Sequence, residues 1–253
     1  MTPYFSIIIS TLNEELFIGG ILDDLVRQEY KLFEVIHVDA KSEDDTCEVV
    51  NQYKDKLTIV SIISDRRNLS YQRNLGAQKA KGHYFIFIDA DTRIRSNLFL
   101  ARLNKACHKT KREIYYPKVI YPNNDPSIKA VEVLSNLLSK LAPLLPRPIP
   151  TSGLAVFQKE FFELLGGYAI SPNHDKKQLF AEDQEIINRA SKLGVKGWYL
   201  PEISYVFSLR RFEKDGRIRV LFKIVFSTLA QYSGSPIVET DYEMGGHRYH
   251  KHI

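Results

Sequence analysis

FIFIDADTRI, at residues 85–94, is an apolar run that ends in two aspartates separated by one alanine. A continuous run of Phe and Ile is typical of a strand buried on both faces, as in a parallel sheet. Because side chains alternate along an extended strand, Asp89 and Asp91 are expected to point the same way and to repel each other. Either a divalent cation or a solvated turn would relieve that repulsion, and the tripeptide alone does not decide between them.

Strand-like and helix-like segments alternate around this stretch. Strands are predicted at 4–11, 33–40, 57–63, 83–89, 114–121 and 151–158. Helices are predicted at 14–28, after a cap at Ser42 or Asp44, at 70–82 with Ser70 as the N-cap, and at 127–142 and 182–194. This alternation predicts an α/β fold, in which a mostly parallel central sheet carries helices on both faces. Since no linker rich in Pro, Gly or Ser interrupts the pattern, we expect one domain.

The composition is that of an ordinary globular protein, with 253 residues, 44% of them hydrophobic and 26% charged. The net charge of +5 favours anionic partners, but no nucleic-acid-binding motif is present, so we expect no nucleic acid. The N-terminal sequence lacks the basic region of a signal peptide, and no apolar run reaches the ~18 residues of a membrane span. Cys47 and Cys107 lie far apart, which predicts two free thiols. We therefore expect a cytoplasmic protein.

Polar side chains follow three of the predicted strands, at the point where each strand ends. In an open α/β sheet the carboxyl ends of parallel strands share one edge, and ligands bind there. The sequence has no glycine-rich phosphate loop at this edge, so a bound phosphate would need a metal such as Mg²⁺ or Mn²⁺ to offset its charge. The residues concerned are Thr11, Asn13, Glu14, Asp39, Asp89 and Asp91.

Five segments occur in an order that resembles the family 2 glycosyltransferases: SIIISTLNEE, VDAKSEDDT, YQRNLGAQKAKG, FIDADT and AEDQEI. The resemblance covers roughly residues 4 to 200. It implies a single GT-A domain at 1–208, with a nucleotide-binding half at 1–110 and an acceptor and catalytic half at 111–208. A basic and apolar tail at 209–253 would follow. The implied activity is metal-dependent transfer of a sugar from a nucleoside diphosphate, with inversion, to a glycan or lipid-linked acceptor.

The resemblance also implies a role for each matching residue. Asp91, together with Asp89, would hold a Mn²⁺ or Mg²⁺ ion that bridges the donor diphosphate. Asp183 matches the catalytic base, and Glu182 would support it or contact the acceptor. A base that removes the acceptor's proton is typically worth about 10²–10⁴-fold in rate. The implied nucleotide-binding residues are Thr11, Asn13, Glu14, Asp39, Arg73 and Asp89.

The sequence departs from the family pattern at two places. Ala40 and Lys41 follow Asp39, where the family usually has a second aspartate and a glycine, and this bears on which nucleotide the pocket prefers. The resemblance implies UDP as the preferred donor nucleotide and GDP as the second choice, because these are the nucleotides that the family commonly uses. The Gln-x-x-Arg-Trp motif of processive synthases is absent, which favours a single addition. Arg211-Phe212, in SLRRF at 208–212, is a loose counterpart of that motif. Arg210 and Arg211 are candidates for contacts with the diphosphate or the acceptor.

The segment 216–231 predicts a helix with one narrow polar stripe on an otherwise apolar surface. Three alternatives stay open for this helix: burial against the domain, contact with a second subunit, or association with a membrane surface through the basic stretch 210–231. A homo-oligomer and a peripheral location at the inner face of the membrane are accordingly expectations. A lipid-linked acceptor would fit the last alternative.

Two rival functions are weighed against this one. A sugar-nucleotide nucleotidyltransferase also uses carboxylates and a metal on an α/β sheet, but it usually carries a glycine-rich, basic phosphate loop that STLNEELFIGG lacks. A catalytically degenerate protein that only binds a glycan or lipid would not need intact Asp89, Asp91 and Asp183. The departure at Ala40 and Lys41 leaves room for that second rival.

Overall fold

The computed structural model describes residues 2–122, 125–144, 154–170, 178–179, 182–210 and 239–240. The strands are β1 Phe5–Thr11, β2 Phe33–Asp39, β3 Ile59–Ile63, β4 Tyr84–Asp89, β5 Ile114–Ile120, β6 Leu154–Gln158, β7 Gln178–Leu179, β8 Trp198–Val206 and β9 Glu239–Thr240. The helices are α1 Ile18–Val26, α2 Thr46–Asn51, α3 Leu69–Lys79, α4 Phe99–Thr110, α5 Pro126–Leu141, α6 Lys159–Leu164 and α7 Glu182–Lys192. A 3₁₀ turn at Ala142–Leu144 follows α5.

Seven strands form one central sheet in the order β3-β2-β1-β4-β6-β5-β8, and β7 pairs with β9 in a separate ribbon. The first four of these strands are parallel to one another, and β5 is parallel to β8. β6 runs antiparallel to both of its neighbours, β4 and β5. The prediction of a single α/β domain with a mostly parallel sheet is thus confirmed. The proposed division into 1–208 and 209–253, and into two halves, stays a prediction.

The sheet is covered on both faces because its strands are apolar on both sides. Along β4, Ile86 and Ile88 face one hydrophobic cluster, and Phe85 and Phe87 face the other. Helices α1 and α4 contribute to the first cluster, whereas α3, α6 and α7 contribute to the second. The apolar run that opened the sequence is therefore a central strand, as predicted.

The register of the central strands brings their carboxyl ends to one edge. Thr11 pairs with Asp39 across β1 and β2, and Ser10 pairs with Asp89 across β1 and β4. The loops after these strands therefore start side by side. The sheet positions the polar residues of three sequence motifs within reach of one another.

Local hydrogen bonds shift two predicted helix starts. Helix α1 begins only at Ile18, because side chains at the start of α2 and in the loop before it bind the backbone N–H groups just after β1. The Glu14 N–H, for example, donates to Oγ1 of Thr46, the first residue of α2, over 2.8 Å. Ser70 was expected to cap α3, but Asn68 does so, since its side chain accepts from the Tyr71 N–H over 2.9 Å. Periodicity reports the interior of a helix better than its ends.

Among the described elements, α4, α6 and β8 were not predicted from the sequence, nor were the two-residue strands β7 and β9. The apolar positions of α4 do follow a helical spacing, at Phe99, Leu103 and Cys107, so a signal for it was present. The β8 segment contains Pro201 and an exposed Glu202, which break a strand pattern.

Cys47 and Cys107 are free thiols, as predicted. Within the part of the chain that the structure describes, no helix has the length and apolarity needed to cross a membrane.

Candidate active site

Thr11 and Asp39 are hydrogen-bonded to each other at the ends of the adjacent strands β1 and β2. The Thr11 hydroxyl donates to Asp39 Oδ1 and the Ser42 N–H donates to Asp39 Oδ2, both over 2.8 Å. Both side chains are buried. Asn13 links the same loops, because its N–H donates to Ser42 Oγ and its Oδ1 accepts from the Glu43 N–H. These bonds join the loops after β1 and β2 into one rim of the candidate site.

His37 supports this rim from below. The Thr11 hydroxyl gives its proton to Asp39, so it must accept from His37 Nε2, 2.8 Å away, which fixes the tautomer. The other ring nitrogen, Nδ1, is buried without a hydrogen-bond partner among the described residues. Burial lowers the pKa of His37 to about 4, although Asp39 acts in the opposite direction. The imidazole is therefore neutral at pH 7 and serves as a donor to Thr11.

Arg73 is the centre of the site. It lies on α3 with a side chain only 4% exposed, and it forms ion pairs with Asp89 at 3.1 Å, Glu182 at 2.8 Å and Asp183 at 3.2 Å. The guanidinium also lies over the Tyr168 ring, 5.1 Å from its centroid. One buried cation thus joins the end of β4 to the first turn of α7.

Burial and the excess of acidic over basic side chains determine the pKa values in this cluster. Burial alone would lower the pKa of Arg73, but Asp183 and the other anionic neighbours raise it well above its usual value. Burial raises the pKa of Asp183 to about 7, and Glu182 adds to this effect while Arg73 opposes it. Three carboxylates share one guanidinium, so one of them can hold a proton near neutral pH. The Asp183 side chain is 25% exposed.

The Gly166-Gly167-Tyr168 turn delivers Tyr168 to this cluster. Both glycines have φ of +75°, a left-handed conformation that favours glycine and ends α6. Asn74 binds the turn twice, accepting from the Tyr168 N–H and donating to the Tyr168 carbonyl, each over 2.8 Å. A Cβ at Gly167 would lie 2.6 Å from Asn74 Oδ1. Asn74 was not predicted as a site residue, although it directly follows Arg73 in YQRNLG.

A second arginine faces the other aspartate of the Asp-x-Asp motif. Arg210 pairs with Asp91 at 2.7 Å and with Glu14 at 2.9 Å, and its guanidinium stacks 3.8 Å from the centroid of the Phe17 ring. Burial would lower the pKa of Arg210, but Asp91 and Glu14 raise it. Burial also raises the pKa of Glu14 to about 7, with Arg210 opposing. Arg210 therefore ties the end of β8 to both loops of the site.

Asp89 is the last residue of β4 and Asp91 lies beyond the strand, so the expectation that both aspartates lie in one extended strand is wrong. The Thr92 N–H donates to the Asp89 carbonyl over 3.1 Å, so the chain turns between them. Asp89 then pairs with Arg73, and Asp91 pairs with Arg210. Their mutual repulsion is offset by two different guanidinium groups.

The residues at this turn fit a metal that is shared with a ligand. Within the described residues no group of three or more His, Cys, Asp and Glu could enclose an ion. Mg²⁺, however, is usually held by one or two protein carboxylates together with substrate phosphate oxygens. Asp91 and Asp89 meet that requirement. On metal binding, Asp91 would either contact both the metal and Arg210 or give up its ion pair with Arg210.

The structure brings the predicted residues into two groups on a common edge. One group is joined by Arg73 and the other by Arg210, while the Thr11–Asp39 rim adjoins both through the loops that follow β1. The nucleotide, metal and catalytic roles assigned to these residues stay predictions. Arg211 and the segment 211–231 lie outside the described residues.

The sequence matches the family model described as Glycosyl transferase family 2 over residues 6–166. It is 38% identical over 104 residues to a poly(ribitol-phosphate) beta-glucosyltransferase of Bacillus spizizenii, and the match covers 39% of this chain and 16% of that protein. It is 34% identical over 86 residues to the Escherichia coli UDP-Glc:alpha-D-GlcNAc-diphosphoundecaprenol beta-1,3-glucosyltransferase WfaP, with 34% of each chain covered. The chain thus spans well under half the length of either relative.

Among solved structures, the fold resembles the mannosyltransferase PcManGT of Pyrobaculum calidifontis, solved with GDP-Man and Mn²⁺. The TM-score is 0.71 at 22% identity, and the match covers 94% of this chain and 66% of that one. At this identity the likeness concerns the fold alone. It agrees with the GT-A architecture that the sequence motifs implied.

Proposed function

Because the chain belongs to glycosyl transferase family 2, we propose that it transfers one sugar from a nucleoside diphosphate to an acceptor hydroxyl with inversion. The observation that carries this proposal is the position of Arg73, which pairs with Asp89 and with the Glu182–Asp183 pair. First-turn carboxylates would stabilise α7 in any case. Helix stabilisation alone does not require a buried arginine from another helix to bind them.

Asp183 is the proposed catalytic base. A general base works best when its pKa lies near the working pH, and burial raises the pKa of Asp183 to about 7. Its partial exposure gives an acceptor hydroxyl access to the carboxylate. Glu182, the neighbour that shares Arg73, is the proposed supporting residue.

The proposed reaction is a single displacement at the anomeric carbon. The acceptor oxygen forms a bond to that carbon while Asp183 takes the hydroxyl proton. The bond from the anomeric carbon to the diphosphate oxygen breaks, and the nucleoside diphosphate leaves with the electron pair. Because attack and departure occur on opposite sides of the sugar, the configuration inverts.

The donor side is proposed to lie between Arg210 and the Thr11–Asp39 rim. A divalent metal held by Asp91 and Asp89 would offset the charge that develops on the leaving diphosphate. Arg210 is the cation of this chain placed to do the same, because it already binds two carboxylates at that edge. UDP is the proposed nucleotide, in line with the name of the relative WfaP, and GDP is second, in line with the ligand of PcManGT.

The proposed acceptor is a glycan or a lipid-linked sugar. The two relatives support these classes by name, since one acts on poly(ribitol phosphate) and the other on a diphosphoundecaprenol-linked sugar. Both acceptors carry phosphate, and the net charge of +5 suits an anionic acceptor.

Replacement of the base tests the proposal. Asp183→Asn should lower kcat by about 10²–10⁴-fold, because the amide cannot accept the acceptor's proton. Nucleotide affinity, measured by calorimetric titration, should stay close to that of the wild type. Unchanged turnover in Asp183→Asn would contradict the assignment of the base. A wild-type chain that binds nucleotide but never transfers sugar would instead favour the degenerate binding protein.

A further inference from the structure

Asp24 and Arg93 form an ion pair next to the Asp89–Thr92 turn. We call this Asp24–Arg93 pair the brace. Asp24 lies on α1 with a fully buried side chain, and its carboxylate accepts from Arg93 Nε at 2.7 Å and Nη2 at 3.0 Å. The Ile94 N–H donates to the same carboxylate over 2.8 Å. A buried carboxylate is costly unless it is paired in this way. The chain just after Asp91 is thus fixed to α1 by side-chain and backbone bonds.

The same segment is also fixed to the end of β8. The Arg93 N–H donates to the Val206 carbonyl over 3.1 Å, and the Val206 N–H donates to the Arg93 carbonyl over 2.8 Å. Four residues beyond Val206 comes Arg210, whose Nε donates to Asp91 over 2.8 Å. The brace therefore holds both partners of the Asp91–Arg210 pair.

Gly20 marks the place where the Arg93 side chain crosses α1. A Cβ at Gly20 would lie 3.3 Å from Cδ, Nε and Nη1 of Arg93, closer than ordinary packing allows. The neighbouring Gly19 is different, because its nearest contacts would be Tyr53 Oη at 3.6 Å and Val49 Cγ1 at 3.7 Å. Glycine within a helix lowers its stability relative to alanine. The course of Arg93 gives a reason for glycine at position 20.

We propose that Asp24 and Arg93 are positioning residues, which hold Asp91 opposite Arg210 and so set the affinity of the site for a nucleoside diphosphate. This inference rests on the proposed function. Asp24 and Arg93 need not touch the donor for this role. They act through the turn that carries Asp91 and through the strand end that precedes Arg210.

Two matched pairs of variants in the full chain test the proposal. Arg93→Lys keeps the positive charge but loses the bidentate hydrogen bond to Asp24. Its control is Arg27→Lys, because Arg27 also pairs with Asp24 but is exposed and does not belong to the Asp89–Thr92 turn. Gly20→Ala crowds Arg93, whereas Gly19→Ala adds the same methyl group one residue away. Each variant is measured by amide hydrogen exchange over 89–94 and 206–210, and by titration of UDP and GDP with Mn²⁺.

Arg93→Lys and Gly20→Ala should speed exchange in both segments and weaken nucleotide binding about tenfold. The two control variants should change either measurement by less than about twofold. Gly20→Ala should lower the melting temperature less than Arg93→Lys does, because alanine favours the helix and offsets part of the crowding. Equal weakening of nucleotide binding in the two variants, with unequal loss of stability, is a result that a purely structural role would not give.

Unchanged exchange in Arg93→Lys would overturn the brace itself. Faster exchange with unchanged nucleotide affinity, in a wild type that binds nucleotide, would overturn the positioning role. If the wild-type chain binds neither nucleotide, the result contradicts both the proposed function and the proposed effect of the brace on nucleotide affinity. The exchange data then still decide whether the brace holds the turn.

Discussion

At the scale of single residues, two adjacent carboxylates at the start of α7 are distinguished by their surroundings. Glu182 and Asp183 both reach Arg73, but burial raises the pKa of Asp183 to about 7. Only the deprotonated form of Asp183 can accept a proton. We expect kcat/KM to fall about tenfold per pH unit as the pH drops below about 7, because the free enzyme then holds Asp183 protonated.

A rate profile between pH 5 and 9 checks this expectation, with donor and acceptor in fixed, subsaturating amounts. Asp183→Asn is the matched control, because its residual rate should lack the dependence near pH 7. A wild-type profile that is flat through this range would contradict the role of Asp183 as the base.

Lys41 departs from the family pattern but has a backbone conformation that suits glycine. It has φ of +58°, a left-handed conformation that favours the glycine usually found there. Its side chain is exposed, so little packing depends on it. We expect Lys41→Gly to stabilise the protein by about 1 kcal/mol, because it removes the steric cost of a Cβ in this conformation.

Urea denaturation measures this difference. Lys41→Ala is the control, because it removes the charge but keeps the Cβ, and it should give no comparable gain. Equal stability of the glycine and alanine variants would mean that the backbone strain at Lys41 is negligible.

At the scale of elements, α3 presents Arg73 to the site and depends on specific contacts to lie there. Its sequence has little amphipathic character, and a Cβ at Gly76 would lie 2.6 Å from Ile8 Cγ2, so the helix packs closely on β1. Asn68 caps its first turn and is buried. We expect Asn68→Ala to lower the free energy of unfolding by about 1 kcal/mol through loss of this cap.

Asn68→Ser should retain most of the stability, since serine caps helices about as well as asparagine. Denaturation of the two variants beside the wild type provides the comparison. If the alanine and serine variants lose equal stability, the cap is not the source of the effect.

The strands and helices up to β4 were predictable from the sequence because apolar patterns and helix-capping residues are local features. The ends of these elements were harder to predict, because they depend on partners distant in sequence. The Asn13 N–H after β1, for example, donates to the Ser42 side chain. The role of Ser70 was wrong for a related reason: two capping residues stand close together, and only the backbone geometry shows that Asn68 is used.

At the scale of the whole molecule, the site is assembled from segments that lie far apart in the chain. The family resemblance predicted that Arg73 and Asp183 belong to one site, and the structure shows them in contact. Nothing local predicted that Arg210 would meet Asp91 and Glu14, since that contact depends on β8 pairing with β5 across the sheet. The order of strands, and the reversal at β6, is a global property of the core.

We propose that this edge of the sheet binds a nucleoside diphosphate through a metal shared between Asp91 and the ligand. Calorimetric titration of UDP and GDP into the full chain, each with Mn²⁺ and with EDTA, tests it most directly. We predict binding of one nucleotide that is strong with Mn²⁺, much weaker with EDTA, and lost in Asp91→Ala. Failure of both nucleotides to bind under either condition would contradict the account, as would binding that neither EDTA nor the Asp91→Ala change affects.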